Sequence, residues 1–381
     1  AKRSDKVWLD AVPTRIMPGG ERPPKSVYHF LVGDRGMADY ADRVVKEMAG
    51  DAVRAVNQWR RDFTRPFTDR EVSRLERLSG EIDRLWDRHT RDRRDVRRET
   101  TDSMSVFGME GAEAKSGANR PALTTSEKDR RFLERIHSRG VRNSSAYRRL
   151  KLVMDYWCAL WFWPMEKADL LPTREEYFFD LSLILEGNVL ETTPPEGQLR
   201  LFPDNRPKQL SMPAPDKFGM VDVERLCREI PRLEVVCELS ARYRFLHWEL
   251  EFAEVFADRG GFDLVLGNPP WIKVEWNEGG VMGDREPLFV LKSFTAPQLA
   301  ALRKETLARY DLRSDYLQAF EEAEGLQNFL NGLQNYPSLK GVQTNLYKCF
   351  LPQAWMIGAK SGVSAFLHPE GIYDDPRGGP F

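Results

Sequence analysis

Cysteine is scarce in this chain: four residues in 381, Cys158, Cys227, Cys237 and Cys349, far apart and with no Cys-x-x-Cys pair. That argues against a disulfide-built scaffold and against a thiolate zinc site. The four are expected as reduced, mostly buried thiols of a cytoplasmic protein. No His/Asp spacing suits a metal, no Ser/His/Asp set suits a nucleophile, and no paired acidic cluster suggests a nuclease. No apolar run approaches the ~20 residues needed to cross a bilayer, and no secretory signal is visible. A strand–Gly-x-Gly–helix turn, the usual cradle for a nucleotide-like cofactor, is missing too. Gly19-Gly20 and Gly260-Gly261 lack the flanking strand and helix pattern. An excess of one charge is lacking only in the sum, which is −1. Residues 1–150 hold 33 Lys and Arg against 24 Asp and Glu, and the remainder holds 24 against 34. A basic first part suits a polyanion; it is equally the make-up of a solvated helical surface.

What is present is enough for two or three globular domains. Its most informative stretch is 262–271, Phe-Asp-Leu-Val-Leu-Gly-Asn-Pro-Pro-Trp. An apolar strand, Leu264-Val265-Leu266, feeds a stiff polar turn, Asn268-Pro269-Pro270, followed by Trp271. Asn-Pro-Pro alone is an ordinary turn; the strand before it and the aromatic after it set this one apart. The arrangement suits methyl transfer to a planar amino nitrogen. The lone pair of such an amine is delocalised into its ring, so the nitrogen is a poor nucleophile. Two acceptors that hold both hydrogens push it toward tetrahedral geometry. The Asn268 side-chain oxygen and the Pro269 carbonyl supply them, and proline fixes φ near −65°. Trp271 offers a flat face on which a flipped-out base can stack.

The neighbouring sequence carries a family resemblance. Residues 245–256, Phe-Leu-His-Trp-Glu-Leu-Glu-Phe-Ala-Glu-Val-Phe, precede the turn. Asn345-Leu346-Tyr347-Lys348-Cys349-Phe350 and Ser361-Gly362-Val363-Ser364-Ala365-Phe366-Leu367-His368-Pro369-Glu370-Gly371 follow it. Together with the Asn-Pro-Pro-Trp turn, these resemble the large DNA adenine-N6 methyltransferases, including type IIG restriction–modification enzymes and the phage-defence methylases of BREX or DISARM type. The resemblance covers roughly residues 240–381. It implies a Rossmann-like α/β core, here partial, and S-adenosyl-L-methionine as cofactor. It also implies double-stranded DNA as partner, other defence-system subunits as possible partners, and self-marking as the setting. By resemblance Asn268, Pro269, Pro270 and Trp271 are catalytic, and Tyr347, His368 and Glu370 edge the target-base pocket. The missing Gly-rich turn implies an internal piece of a larger enzyme, with the cofactor half encoded upstream. The nearest alternatives are methylation of an RNA guanine or a protein glutamine, which the same turn serves, or a non-catalytic DNA-binding scaffold subunit.

The first part of the chain reads as helical. Val44, Val45, Met48, Val53, Val56 and Trp59 recur near helical spacing. Thr68 and Glu71 form a capping-box pattern ahead of a stripe of Leu75, Leu78, Ile82 and Leu85. The two helices, joined at Arg65-Pro66, suggest an antiparallel hairpin. Arg93, Arg94, Arg97 and Arg98 in its tail are candidate contacts to a DNA backbone. Residues 101–125 suggest a flexible loop, with a helix from about Ser126. Tyr147–Phe162 suggests a buried apolar helix, and His247-Trp248 a packing pair. Residues 188–220 hold Pro194, Pro195, Pro203, Pro207, Pro213 and Pro215, which suggests linker or irregular structure. A short helix near Val221–Glu229 and the segment Glu234–Arg244 lead on. The expected organisation is an α/β protein with a large α-helical insertion. A linker spans 1–30, the helical, basic insertion 31–165, a mixed, Pro-rich connecting region 166–240 and the catalytic part 241–381.

Overall fold

The structure, a computed structural model, describes residues 7–18, 20–101, 123–134, 145–187, 221–340 and 345–374. The main helices are α1 (Arg43–Phe63), α2 (Asp69–Thr100), α3 (Thr125–Phe132), α4 (Ala146–Ala159), α5 (Arg174–Glu186), α6 (Val223–Glu229), α7 (Pro231–Tyr243) and α8 (Ala253–Arg259). Strand β1 (Phe262–Gly267) follows. After it come α9 (Ala296–Tyr310), α10 (Arg313–Asn331), α11 (Leu346–Ile357) and strand β2 (Gly358–Phe366). Shorter helical turns lie between them. Most of the loop expected at 101–125 and all of the proline-rich stretch at 188–220 lie outside the described residues. No described helix is long and apolar enough to cross a membrane.

The start of α2 follows from its sequence. Thr68 Oγ1 accepts from the Glu71 amide, and the Glu71 carboxylate accepts from the Thr68 amide at 2.7 Å, satisfying two of the otherwise orphaned donors. The expected stripe at Leu75, Leu78, Ile82 and Leu85 is buried, and its burial continues through His89, Arg93 and Val96. The expected α1–α2 hairpin does not form. Helix α1 packs on the 3-10 segment Met165–Leu170, whereas α2 packs on α4, α5 and α8. The reason lies in the connection. Arg174, buried at the start of α5, donates to the carbonyls of Phe63, Arg65 and Pro66 and pairs with Glu71. Those bonds fasten the connection to α5, so the two helices diverge.

One hydrophobic core runs from Phe30 to Phe320 and includes α4, α5, α6 and α7. The helical body therefore takes in residues from the expected insertion, connecting region and catalytic part. Trp157, Trp161, Phe162 and Trp163 are all buried within it, as aromatics at helical spacing usually are. The extended segment before α1 is held by phenol and indole donors: Trp157 to the Val32 carbonyl at 2.9 Å, Tyr177 to Phe30 at 2.9 Å and Tyr40 to Trp163 at 2.8 Å. Buried Asp155 accepts from Lys151, Ser240 and His247. Burial raises its carboxyl, but His247 and Lys151 outweigh that and hold it below the usual range.

Helix α2 docks on the unit that carries β1. Its Arg93 makes a two-pronged pair with Glu254 of α8, at 2.8 and 3.2 Å, and both side chains are buried. One turn earlier, His89 Nε2 lies 2.7 Å from the Leu250 carbonyl. Beside it, Arg94 pairs with Asp258 at 2.6 Å. Strands β1 and β2 then pair in parallel, with Leu264 opposite Val363, Leu266 opposite Ala365 and Gly267 opposite Phe366. Gly261, just before β1, has φ +137°, and a Cβ there would stand 2.5 Å from the Ile357 carbonyl oxygen. Only glycine lets α11 and β1 approach so closely.

Two predictions come from this body. Glu321 of α10 is buried and accepts from the Met165 amide at 2.6 Å; burial pushes its carboxyl up from the ordinary 4.5 to about 7. A folded-state value above the unfolded one means stability that is present at low pH and lost as pH rises. Thermal unfolding of Glu321→Gln should therefore lose less stability than wild type across pH 4.5 to about 7; equal slopes would refute this. Arg93→Ala strands the buried Glu254 carboxylate and should lower stability by about 3–5 kcal/mol. Arg97→Ala and Arg98→Ala, at exposed positions, should stay within about 0.5 kcal/mol of wild type, all read by chemical denaturation.

Candidate active site

The turn Asn268-Pro269-Pro270-Trp271 leaves the C-terminal end of β1, beside the C-terminal end of β2. In open parallel sheets this is the edge where ligands bind. The ladder extends one bond past the strands, since the Leu367 amide donates to the Gly267 carbonyl at 3.1 Å. At Gly267 a Cβ would stand 2.8 Å from the Phe366 ring, so glycine lets that ring lie across the strand end.

Pro269 is buried, whereas Asn268, Pro270 and Trp271 are exposed. The Trp271 indole Nε1 donates to the Leu367 carbonyl at 3.4 Å while the residue stays 55% exposed. The indole edge is thus tied to the end of β2, and much of its surface is left free. Downstream anchors keep the turn from drifting. Val274 is buried with Leu330, Leu339 and Cys349. Trp276 meets the rings of Tyr316 and Phe320 edge-on, and Glu278 pairs with Arg303.

Helix α11 closes the other side. The Leu346 amide donates to the Ile272 carbonyl at 2.9 Å, and Lys273 bridges to Asn345. Tyr347 is buried and stacks on His368, with centroids 5.7 Å apart and planes 10° apart. His368 Nδ1 lies 2.9 Å from the Pro369 carbonyl, and its ring meets exposed Tyr373. Glu370 is exposed at the start of the next 3-10 turn. The end of β1, the start of α11 and the end of β2 therefore bring Asn268, Pro269, Trp271, Tyr347 and His368 into one neighbourhood.

Sequence reasoning gave Asn345 no role of its own. It stands at the N-cap of α11, yet its side chain makes no cap bond, and its Oδ1 is buried without a partner. An Asn at a cap position is no signal in sequence, because capping is its ordinary use.

The arginines expected on a DNA backbone divide differently. Arg93 is sealed in its pair with Glu254 and is unavailable to a surface ligand. Arg94, Arg97 and Arg98 line an open cleft with Thr101, Asp258 and Arg259. Arg94 pairs there with Asp258, and Arg98 with Asp95. That cleft adjoins the N-terminal end of β1, roughly 20 Å along the strand from the turn.

A cofactor cradle does not emerge from the described residues. Gly260 ends α8 in the left-handed region, and Gly261 packs against Ile357 and Gly358, so this pair serves helix termination and close packing. Among the described residues no group of His, Cys, Asp and Glu could hold a metal.

No curated protein and no solved structure matches this chain significantly. A family model does: residues 215–296, which include α6 to α8, β1, the Asn-Pro-Pro-Trp turn and the anchors after it, match the Eco57I restriction-modification methylase. In that segment the chain is similar to the Eco57I restriction-modification methylases.

Proposed function

We propose that this chain carries the target-amine half of an S-adenosyl-L-methionine-dependent DNA methyltransferase that acts on the exocyclic amine of adenine. The carrying observation is the exposed Asn268 at the C-terminal end of a parallel strand, with the Pro269 carbonyl next to it and the anchored Trp271 indole two residues further on. In this reading the adenine leaves the duplex and stacks on Trp271. Unstacking costs a few kcal/mol, offset by stacking worth ~1–3 kcal/mol and by hydrogen bonds from the amine to Asn268 Oδ1 and the Pro269 oxygen. Holding both hydrogens localises the nitrogen lone pair and aims it; positioning supplies most of the rate. The Tyr347–His368 stack then forms a wall of the base pocket, with Glu370 at its rim.

The sheet supports a partial Rossmann-like core. Parallel strands are ordinarily covered on both faces, and a two-stranded sheet alone is marginal. Here Leu264, Leu266, Val363 and Leu367 are largely exposed. We take β1 and β2 as part of a larger parallel sheet whose other strands carry the cofactor site. Double-stranded DNA is the proposed partner, with self-marking in a restriction or phage-defence system as the setting.

The test uses the intact parent protein with S-adenosyl-L-methionine and unmethylated DNA, followed by digestion and mass spectrometry of the nucleosides. N6-methyladenine is expected with wild type. Asn268→Ala should lower turnover by about 100-fold or more, the scale of one lost transition-state contact, with DNA affinity unchanged. Retained turnover in that variant would sink the assignment. Trp271→Ala should weaken base engagement by about 1–3 kcal/mol, and Trp271→Phe should restore most of it. Methylation of RNA or protein, with none of DNA, would move the same turn to another planar amine.

A further inference from the structure

Two of the four cysteines, read from sequence as separate reduced thiols, meet in the fold. Cys227 lies in the last turn of α6 and Cys237 in the second turn of α7. The helices are joined directly at Ile230-Pro231, and α7 turns back along α6. Their Sγ atoms lie 2.6 Å apart, and both residues are partly exposed. The other two cysteines differ. Cys158 sits within α4, where burial pushes its thiol far up. The Cys349 sulfur lies 3.6 Å from the Asn345 carbonyl, and its thiol is pushed up to about 12 by burial.

We propose that Cys227 and Cys237 are a redox-active dithiol that closes into a disulfide and staples α6 to α7. The sulfurs already stand within reach of one another. The pair is also chemically asymmetric. A hydrogen bond between the two sulfurs favours the Cys237 thiolate and leaves the proton on Cys227. Burial, Asp155 and Glu234 oppose that thiolate, while Lys151 favours it. A thiolate is the form that reacts with oxidants.

The oxidant class is a small-molecule disulfide. The Cys237 thiolate attacks one of its sulfurs, forming a mixed disulfide and releasing one thiolate. Cys227, giving up its proton, attacks the Cys237 sulfur and releases the second. Two protein thiols and one small disulfide become one protein disulfide and two small thiols, with electrons and protons balanced. The linkage would hold together two helices of the segment that ends in the Asn-Pro-Pro-Trp turn. Ser240 of α7 donates to Asp155, which His247 also holds, ahead of α8 and β1.

The experiment treats the native chain with oxidised glutathione, blocks free thiols by alkylation, and maps trypsin fragments by mass spectrometry. Cleavage at Arg225, Arg228, Arg232 and Arg242 separates Leu226-Cys227-Arg228 from 233–242. The expected product is these two peptides joined, lighter by about 2 Da than their sum, and split by reductant. Cys158 and Cys349 should remain alkylated. Cys237→Ser should abolish both the link and the glutathione adduct on Cys227, while Cys227→Ser should trap glutathione on Cys237. A native chain that keeps all four thiols free after oxidation, or that links Cys158 or Cys349 instead, would overturn the proposal.

Discussion

The buried pairing of Arg93 with Glu254 joins the helical body to the strand that presents the turn. A charge pair out of water gains little net stability over an apolar packing of the same shape. What it does supply is position, because a displaced partner would leave a bare buried charge. With His89 on the Leu250 carbonyl and Arg94 on Asp258, it fixes α2 along α8. Gly260 and Gly261 lead straight from α8 into β1, so the orientation of β1 follows from this docking.

The site inherits that geometry. The turn leaves β1 at the end remote from the arginine cleft, and its indole is pinned to the end of β2. Val274, Trp276 and Glu278 then tie the outgoing chain to α10 and α9. A rigid turn matters to the proposed methyl transfer, because a weak nucleophile depends on aim and loose acceptors lose the advantage of pre-organisation. The helical mass between the two strands is a long crossover, as a parallel pair requires. The exposed leucines and valine of β1 and β2 lie on one face of the strand pair.

Parts of this were legible in residue order alone. Thr68 and Glu71 signalled the start of α2, and Leu75 to Leu85 gave its inward stripe. Tyr156 to Trp163 signalled a buried helix end. The run from Leu264 to Trp271 gave strand, turn and an exposed aromatic together. Other features were not legible. Arg93 sits among exposed arginines in sequence and differs only because Glu254 comes to meet it. The α1–α2 hairpin fails because Arg174, more than a hundred residues on, holds the connection. Helices α9 and α10 drew no notice, although Thr295 and Gln298 form a capping box ahead of α9. Cys227 and Cys237 are ten residues apart in the chain, and only the reversal at Ile230-Pro231 brings their sulfurs together.

The sequence by itself determined the local chemistry: which residues cap, which stretch alternates or repeats toward a core, and which turn offers two acceptors and an aromatic face. These are set by neighbours within a few residues, where backbone preference and side-chain reach decide the outcome. The tertiary structure decided which charges are buried and paired, which strands lie side by side, and which distant side chains share one neighbourhood. Those contacts depend on segments separated by up to hundreds of residues, and no local preference encodes their meeting.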